Sequence, residues 1–153
     1  MSNQWGTAGS PRIRDSAQPS IMIVADHKKV RGALSGWLNA TFPECHVQEA
    51  LSGEEALIKT RSQPADVALI VRHLPRMNGI EATRRLKALS PRTRVVLVSF
   101  FEEPCYRVDA ESAGASAFVS MRALSKELAP IITRFLAKPS AVRAKNELAL
   151  KLR

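Results

Sequence analysis

Residues 66–79 read DVALIVRHLPRMNG, and this stretch decides the fold. Its first six residues, DVALIV, form an apolar, β-branched run that is typical of a strand buried on both faces. Pro75 and the Asn78–Gly79 pair then indicate a loop that ends where a helix begins. A buried strand, a short loop and a helix are the repeating unit of a parallel α/β sheet.

The same unit recurs on both sides of this stretch. The clearest helix follows Leu124, Leu128, Ile131, Ile132 and Phe135, which repeat at helical spacing. Five segments have the character of strands, namely 21–25, 46–50, 66–71, 94–100 and 117–121. Five strand–helix repeats predict a parallel sheet with helices on both faces. Ligands of such sheets bind beyond the carboxyl ends of the strands, so the loops after residues 25, 71, 99 and 121 deserve inspection.

Composition and length place limits on the rest of the molecule. The chain has 153 residues, which suits one domain, and a net charge of +9, which suits an anionic partner. Residues 1–20 predict a disordered arm, 21–137 a folded domain, and 138–153 a basic tail that can form a short helix. No apolar run approaches the length of a membrane span, and the polar N-terminus predicts a cytoplasmic protein without membrane contact.

Four segments carry a family resemblance: IMIVADH, LIVRHLPRMNGIEATRRLK, VVLVSF and AGASAFVSM. Their order and spacing strongly resemble the receiver domain of two-component response regulators, over roughly residues 20–137. The resemblance implies a flavodoxin-like (βα)5 three-layer sandwich of the α/β class. In this family an aspartate at the end of the third strand accepts a phosphoryl group, and an acidic pair after the first strand helps it hold Mg²⁺.

Carried over position by position, the resemblance implies a degenerate site. The phosphoacceptor position falls on Val71, the acidic pair on Ala25 and Asp26, the hydroxyl position on Ser99, and the lysine position on Met121. The aromatic switch position falls on Phe118. One carboxylate is too few for Mg²⁺, which prefers several oxygen ligands. We therefore expect no catalytic residue, metal or cofactor, and a pocket that packs better than that of an unliganded receiver.

Cations surround these positions in the sequence. Lys28 and Lys29 follow the first strand, Arg72 and Arg76 lie in the third loop, and Arg122 follows the fifth strand. They predict a basic rim that attracts an anion or an acidic partner, or else splays into solvent. Asp26 is expected to cap the first helix or to pair with Lys28 or Lys29. The histidines lack a second ligand at metal spacing, so surface or packing roles are expected for them.

The resulting hypothesis is a phosphorylation-independent regulator that binds a protein partner, a kinase or another regulator, through residues 102–137 or forms a homodimer there. The alternative is a nucleic-acid-associated protein that uses its basic surface. A third hypothesis places phosphoryl chemistry on Ser99 or Asp66, although Asp66 begins its strand at the end opposite the pocket.

Overall fold

The computed structural model describes residues 18–101 and 103–137; the predicted arm up to residue 17 and the tail at 138–153 lie outside them. The strands are β1 (Ser20–Val24), β2 (His46–Ala50), β3 (Val67–Val71), β4 (Arg94–Ser99) and β5 (Ala117–Ser120). The helices are α1 (Lys28–Thr41), α2 (Gly53–Ser62), α3 (Gly79–Leu89), α4 (Pro104–Ala113) and α5 (Leu124–Ala137). A 3₁₀ turn, Met121–Ala123, joins β5 to α5.

All neighbouring strands of the sheet are parallel, in the order β2-β1-β3-β4-β5. The chain leaves β1 toward one edge and β3 toward the other, so the switch point of the sheet lies between these two strands. The predicted flavodoxin-like α/β fold is confirmed. Within the described residues, no helix combines the length and the apolar character that crossing a membrane requires.

The core consists of two layers that follow the alternation of side chains along each strand. Ile21 and Ile23 of β1 face the layer that packs against α1 and α5, whereas Met22 and Val24 face the layer that packs against α2, α3 and α4. All four side chains are fully buried, which stabilises the fold by about 1.5–3 kcal/mol for each. Burial on both faces explains why the strands are continuous apolar runs.

Several boundaries differ from the prediction. β1 begins at Ser20, whose backbone N–H donates to Asp66 Oδ2 at 2.9 Å, so Ser20 belongs to the sheet and not to the arm. Asp66 precedes β3, which begins at Val67. Met121 is not the last residue of β5 but opens the 3₁₀ turn, because the Ser120 hydroxyl accepts the N–H of Ala123 and bends the chain there.

Two helices begin at side-chain caps. Ser52 caps α2, since its Oγ accepts the Glu55 N–H at 3.1 Å. The Glu55 carboxylate in turn accepts the Leu51 N–H at 2.6 Å. Asn78 caps α3 in the same manner through Glu81 N–H at 2.9 Å. These bonds satisfy backbone donors that the first turn of a helix leaves without partners.

Gly79 brings the start of α3 against the end of β3. Its N–H donates to the carbonyl of Arg72 at 2.7 Å. A Cβ at this position would lie 2.4 Å from the carbonyl oxygen of Val71. Only glycine permits so close an approach of two backbone segments, so Gly79 determines how the third loop folds back over the strand end.

Candidate functional site: the carboxyl edge of the sheet

The predicted pocket positions meet at the carboxyl edge of the sheet. Val71 lies beside Val98, and Ser99 beside Ser120, in the parallel register of β3, β4 and β5. Ala25 directly follows β1, and its N–H donates to the carbonyl of Ala50 at 3.1 Å. The topology therefore gathers the ends of four strands at one place.

Apolar side chains fill the centre of this carboxyl edge. Val71 is 4% exposed and Ala25 is 1% exposed, and both belong to the core layer under α1 and α5. Met121 is partly buried and packs against the same layer. These three residues, to which the sequence resemblance assigns polar chemistry, thus extend the apolar core up to the strand ends.

Ser99 keeps its hydroxyl in this apolar surrounding. The side chain is fully buried, and its Oγ accepts the backbone N–H of Phe101 at 3.1 Å. The hydrogen bond folds the start of the loop after β4 back onto the strand. Ser99 therefore has a structural partner in its own loop, which explains how a buried hydroxyl is accommodated.

The prediction for Asp26 is wrong. The N-cap residue of α1 is His27, whose side chain makes no capping hydrogen bond, and Asp26 lies exposed one residue earlier. The backbone carbonyl of Asp26, not its carboxylate, is engaged: it accepts from Arg31 Nη1 at 3.4 Å. Asp26 is too early in the chain for its carboxylate to reach the first-turn N–H groups from the N-cap position.

Arg31 is a member of this edge that the sequence patterns did not indicate. Its Nη1 donates to the carbonyl of Ala25 at 2.9 Å, and its Nε forms an ion pair with Glu49 Oε1 at 3.2 Å. The Arg31 side chain is 12% exposed. It ties the loop after β1 to the end of β2, and no spacing in the sequence connects two residues that lie 18 positions apart.

The donor set at this edge does not fit Mg²⁺. The ion needs several oxygen ligands in near-octahedral geometry, and two of the three carboxylate positions hold the buried hydrocarbon of Ala25 and Val71. Of these three positions, only Asp26 has a carboxylate, and the nearby Glu49 carboxylate is paired with Arg31. Within residues 18–101 and 103–137, no cluster of three or more His, Cys, Asp or Glu side chains has the arrangement of a metal site.

The predicted basic rim is only partly formed as expected. The guanidinium carbon of Arg72 lies 3.7 Å from the centroid of the Tyr106 ring, and its Nη1 lies 3.3 Å from His73 Nε2. His73 also packs edge-to-face against Phe101, with centroids 5.7 Å apart. Arg72 therefore joins the third loop to α4, and His73 joins it to the loop before α4. Neither side chain contributes a free charge to the predicted basic rim.

The remaining cations divide into paired and unpaired side chains. Arg76, whose φ of 63° places its backbone in the left-handed region, pairs with Glu54 at 3.5 Å. The backbone N–H of Glu54 itself lowers the pKa of the Glu54 carboxyl most, desolvation opposes it, and Arg76 lowers the pKa further. Lys28, Lys29 and Arg122 are exposed and form no ion pair within the part of the chain that the structure describes.

Phe118 occupies the aromatic position of β5. It is 7% exposed and belongs to the layer under α2, α3 and α4. The guanidinium carbon of Arg107 lies 5.1 Å from its centroid. The ring is therefore turned inward and covered by a side chain of α4.

A comparison with known proteins agrees with this geometry. Residues 21–133 match the family described as the response regulator receiver domain. The chain belongs to this family. Receiver domains are signalling modules of two-component systems and are generally not enzymes.

Two proteins of Pseudomonas are among those similar in sequence to this receiver. The chain is 33% identical over 117 residues to the transcriptional activator protein ExaE of Pseudomonas putida. The aligned residues cover 76% of this chain and 55% of ExaE. It is 33% identical over 112 residues to the response regulator GacA of Pseudomonas viridiflava, which covers 73% of this chain and 52% of that protein. The receiver thus spans about half the length of these relatives.

A solved structure extends the agreement to three dimensions. A two-component response regulator of the LuxR family from Aurantimonas superposes with a TM-score of 0.72 at 27% identity, covering 88% of this chain and 98% of that one. The CheY4 chemotaxis protein of Vibrio cholerae, at 20% identity and a TM-score of 0.70, shares the fold.

Proposed function

We propose that this receiver regulates without aspartyl phosphorylation, by binding a protein partner. The observation that carries the proposal is the burial of Ala25 and Val71 in one hydrophobic layer, against which the partly buried Met121 packs. Neither a nucleophile nor a metal ligand stands at the acceptor position, and the hydrocarbon there needs no ion to balance buried charge.

The surface favoured for the partner includes the first part of residues 102–137 and the loop just before it. Phe101 is 55% exposed, and Val108 of α4 is 61% exposed. Phe100, next to Phe101 in the chain, is 46% exposed. Large apolar side chains that are exposed on one segment of the chain favour a protein interface there, in which a second copy or another regulator covers them.

Acetyl phosphate tests the first half of the proposal. The protein is incubated with acetyl phosphate and Mg²⁺, and its intact mass is compared with that of a receiver that retains the acceptor aspartate. We expect the control to gain one phosphoryl group and this protein to gain none. A phosphorylated product would contradict the proposal, and mapping it would show whether Ser99 or Asp66 had reacted.

A pair of substitutions tests the second half. Val108→Glu places a charge on the proposed surface, whereas Ile58→Glu places one on α2, where Ile58 is 65% exposed. We expect Val108→Glu to abolish capture of the partner from native lysate, or self-association in sedimentation, and Ile58→Glu to preserve it. Equal behaviour of the two variants would show that the interface lies elsewhere.

The alternative proposal, a nucleic-acid-associated protein, has less support in the described surface. Arg72 stacks on Tyr106, Arg76 pairs with Glu54, and Arg84 and Arg85 both pair with Glu81 at 2.6 and 2.8 Å. These side chains are engaged within the protein, so the net charge overstates what phosphates would meet. Binding of a labelled duplex at about 0.05 M salt that weakens steeply as salt rises would favour this alternative.

A further inference from the structure

An apolar cavity of about 340 Å³ lies between α1 and α5, beside the carboxyl edge of the sheet. The buried Leu34 and Leu128 contribute to its lining, together with the half-buried Trp37 and Met121 and the exposed Phe100. Large apolar side chains that are partly exposed around a concave surface are typical of a site that another segment covers.

The side of α1 that continues from this cavity toward the amino edge of the sheet has small residues. Gly36 and Ala40 follow the lining residue Ala33 by three and seven positions, so these three residues lie on one side of the helix. All three are exposed, and a Cβ at Gly36 would meet nothing within 4 Å. Small side chains permit a second helix to approach α1 closely at this place.

Residues 138–153 are a segment that can reach this side of the molecule. They continue from Ala137, the last residue of α5, and α5 is itself one wall of the cavity. Pro139 cannot continue α5, and Ser140 is suited to cap a new helix. The apolar stripe of this predicted helix consists of Ala141, Ala144, Leu148 and Leu152.

The lengths of the two helices agree. A helix rises about 1.5 Å per residue, so Leu128 and Leu124 lie about 14 and 20 Å back from the end of α5. A helix that begins at Ser140 and runs back beside α5 would place Leu148 and Leu152 about 12 and 18 Å from its start. Both leucines would then lie level with the cavity, and the alanines of the stripe level with the small side of α1.

The charges near the cavity do not favour a free ion as its occupant. Along the chain, cations and carboxylates close to the lining residues are equal in number, with Lys28, Lys29, Arg122 and Lys126 against Asp26, Glu102, Glu103 and Glu127. Apolar packing is therefore expected to decide what binds. A segment that is joined to α5 has a high effective concentration beside the cavity, so the packing of a few side chains is enough to hold it there.

We propose that residues 140–152 fold back as a helix between α1 and α5 and close the cavity with Leu148 and Leu152. The tail is then an internal cover, and another molecule reaches the cavity only by displacing it. This inference goes beyond the proposed function and does not depend on whether the receiver is phosphorylated or on which surface binds its partner.

The accessibility of Trp37 tests the proposal in the full chain. In a Trp5→Phe background, Trp37 is the remaining tryptophan, and acrylamide quenching of its emission measures how well it is covered. We expect Leu148→Asp to raise the quenching constant about twofold, because a carboxylate is unfavourable in an apolar cavity. Leu150→Asp is the matched control. It lies about 200° around the helix from Leu148, so it should leave the quenching constant unchanged.

A second pair of variants tests the side of α1. Ala40→Lys places a long side chain among the small residues but outside the lining, whereas Asn39→Lys places the same side chain about 100° further around the helix. We expect Ala40→Lys to raise the quenching constant about twofold and Asn39→Lys to leave it unchanged. Ala40→Lys should add nothing further to Leu148→Asp, because both variants release the same segment.

Three outcomes would overturn the proposal. Equal quenching in Leu148→Asp and Leu150→Asp would show that the apolar stripe does not cover Trp37. Additive effects of Ala40→Lys and Leu148→Asp would show that the two residues act through separate contacts. Protection of Trp37 that disappears on dilution would show that the tail of a second copy, and not the chain's own tail, closes the cavity.

Discussion

The guanidinium carbon of Arg72 lies 3.7 Å from the centre of the Tyr106 ring. Arg72 directly follows Val71 at the end of β3, and Tyr106 belongs to α4. This cation–π contact joins the end of β3 to α4.

A double-mutant cycle measures this contact. We expect Arg72→Met and Tyr106→Leu to be coupled by about 1 kcal/mol in the free energy of unfolding, because the guanidinium is partly shielded from water. Urea unfolding of the wild type, both single variants and the double variant gives the coupling. Arg134 and Phe135 provide the comparison. The guanidinium carbon of Arg134 lies 5.6 Å from the centroid of the Phe135 ring, and Arg134 is exposed. We expect their coupling to be less than about 0.5 kcal/mol. Similar values for both pairs would contradict the stronger role of Arg72.

Returning the family's carboxylate to β3 should destabilise the protein. Val71→Asp is expected to lower the free energy of unfolding at pH 7 by roughly 3 kcal/mol, since Val71 is buried in hydrocarbon. Burial raises the pKa of the new carboxyl above its unfolded value of about 3.9, so the loss should grow as pH rises above about 4 and shrink below it.

Val71→Asn is the matched neutral control for this change, and its loss should not depend on pH in that window. Urea unfolding with and without millimolar Mg²⁺ completes the test. Because Ala25 supplies no ligand, Mg²⁺ should not rescue Val71→Asp. A recovery of stability on adding Mg²⁺ would mean that the metal site survives.

The cap of α2 makes a second pH-dependent contribution. The Leu51 N–H, and more weakly Lys59, lower the pKa of the Glu55 carboxyl below its ordinary value of 4.5. A group whose pKa is lowered by folding stabilises the fold above its unfolded pKa, and that stabilisation disappears as pH falls through the lowered value. We therefore expect Glu55→Gln to cost roughly 1 kcal/mol at pH 7 and almost nothing well below pH 4.

Glu111→Gln is the control for this prediction, because it removes the same charge from an exposed position of α4. Its unfolding curve should match that of the wild type at both pH values. If Glu55→Gln were equally destabilising in acid, the effect would come from packing and not from the carboxylate.

Two glycines should respond to alanine in opposite directions. Gly79→Ala places its Cβ 2.4 Å from the Val71 carbonyl oxygen, which forces backbone to move, so we expect a loss of about 2 kcal/mol or more. Gly36 is exposed within α1 and meets nothing within 4 Å, so Gly36→Ala should gain about 0.5–1 kcal/mol. Thermal unfolding distinguishes the two, and a Gly79→Ala protein as stable as the wild type would refute the close approach.

The fold was predictable because the pattern of buried residues within each strand and helix depends on the local sequence. Apolar runs such as DVALIV and the helical spacing from Leu124 to Phe135 each depend on neighbouring residues alone, and the structure has the predicted strand–helix order. Boundaries moved by a residue or two where a hydrogen bond from elsewhere intervened, as at Ser20, which Asp66 binds.

The site was predictable in position but not in its contacts. Patterns placed Ala25, Val71 and Ser99 at one edge, but they did not indicate that Arg31 would pair with Glu49 or that Arg72 would stack on Tyr106. Such pairs join residues from different elements, and their geometry depends on loop paths and side-chain rotamers that no local spacing encodes. The cavity lined by Leu34, Trp37, Phe100, Met121 and Leu128 was not predicted for the same reason, since its walls come from segments far apart in the chain.

β1 and β3 lie side by side, and their connections depart toward opposite edges of the sheet. The crevice above the carboxyl ends of these strands is therefore formed by the path of the backbone. The side chains determine only the chemistry of this crevice. Point substitutions can therefore change the function of a receiver of this kind while its architecture stays the same. Equally few substitutions can give its descendants another function at the same place in the fold.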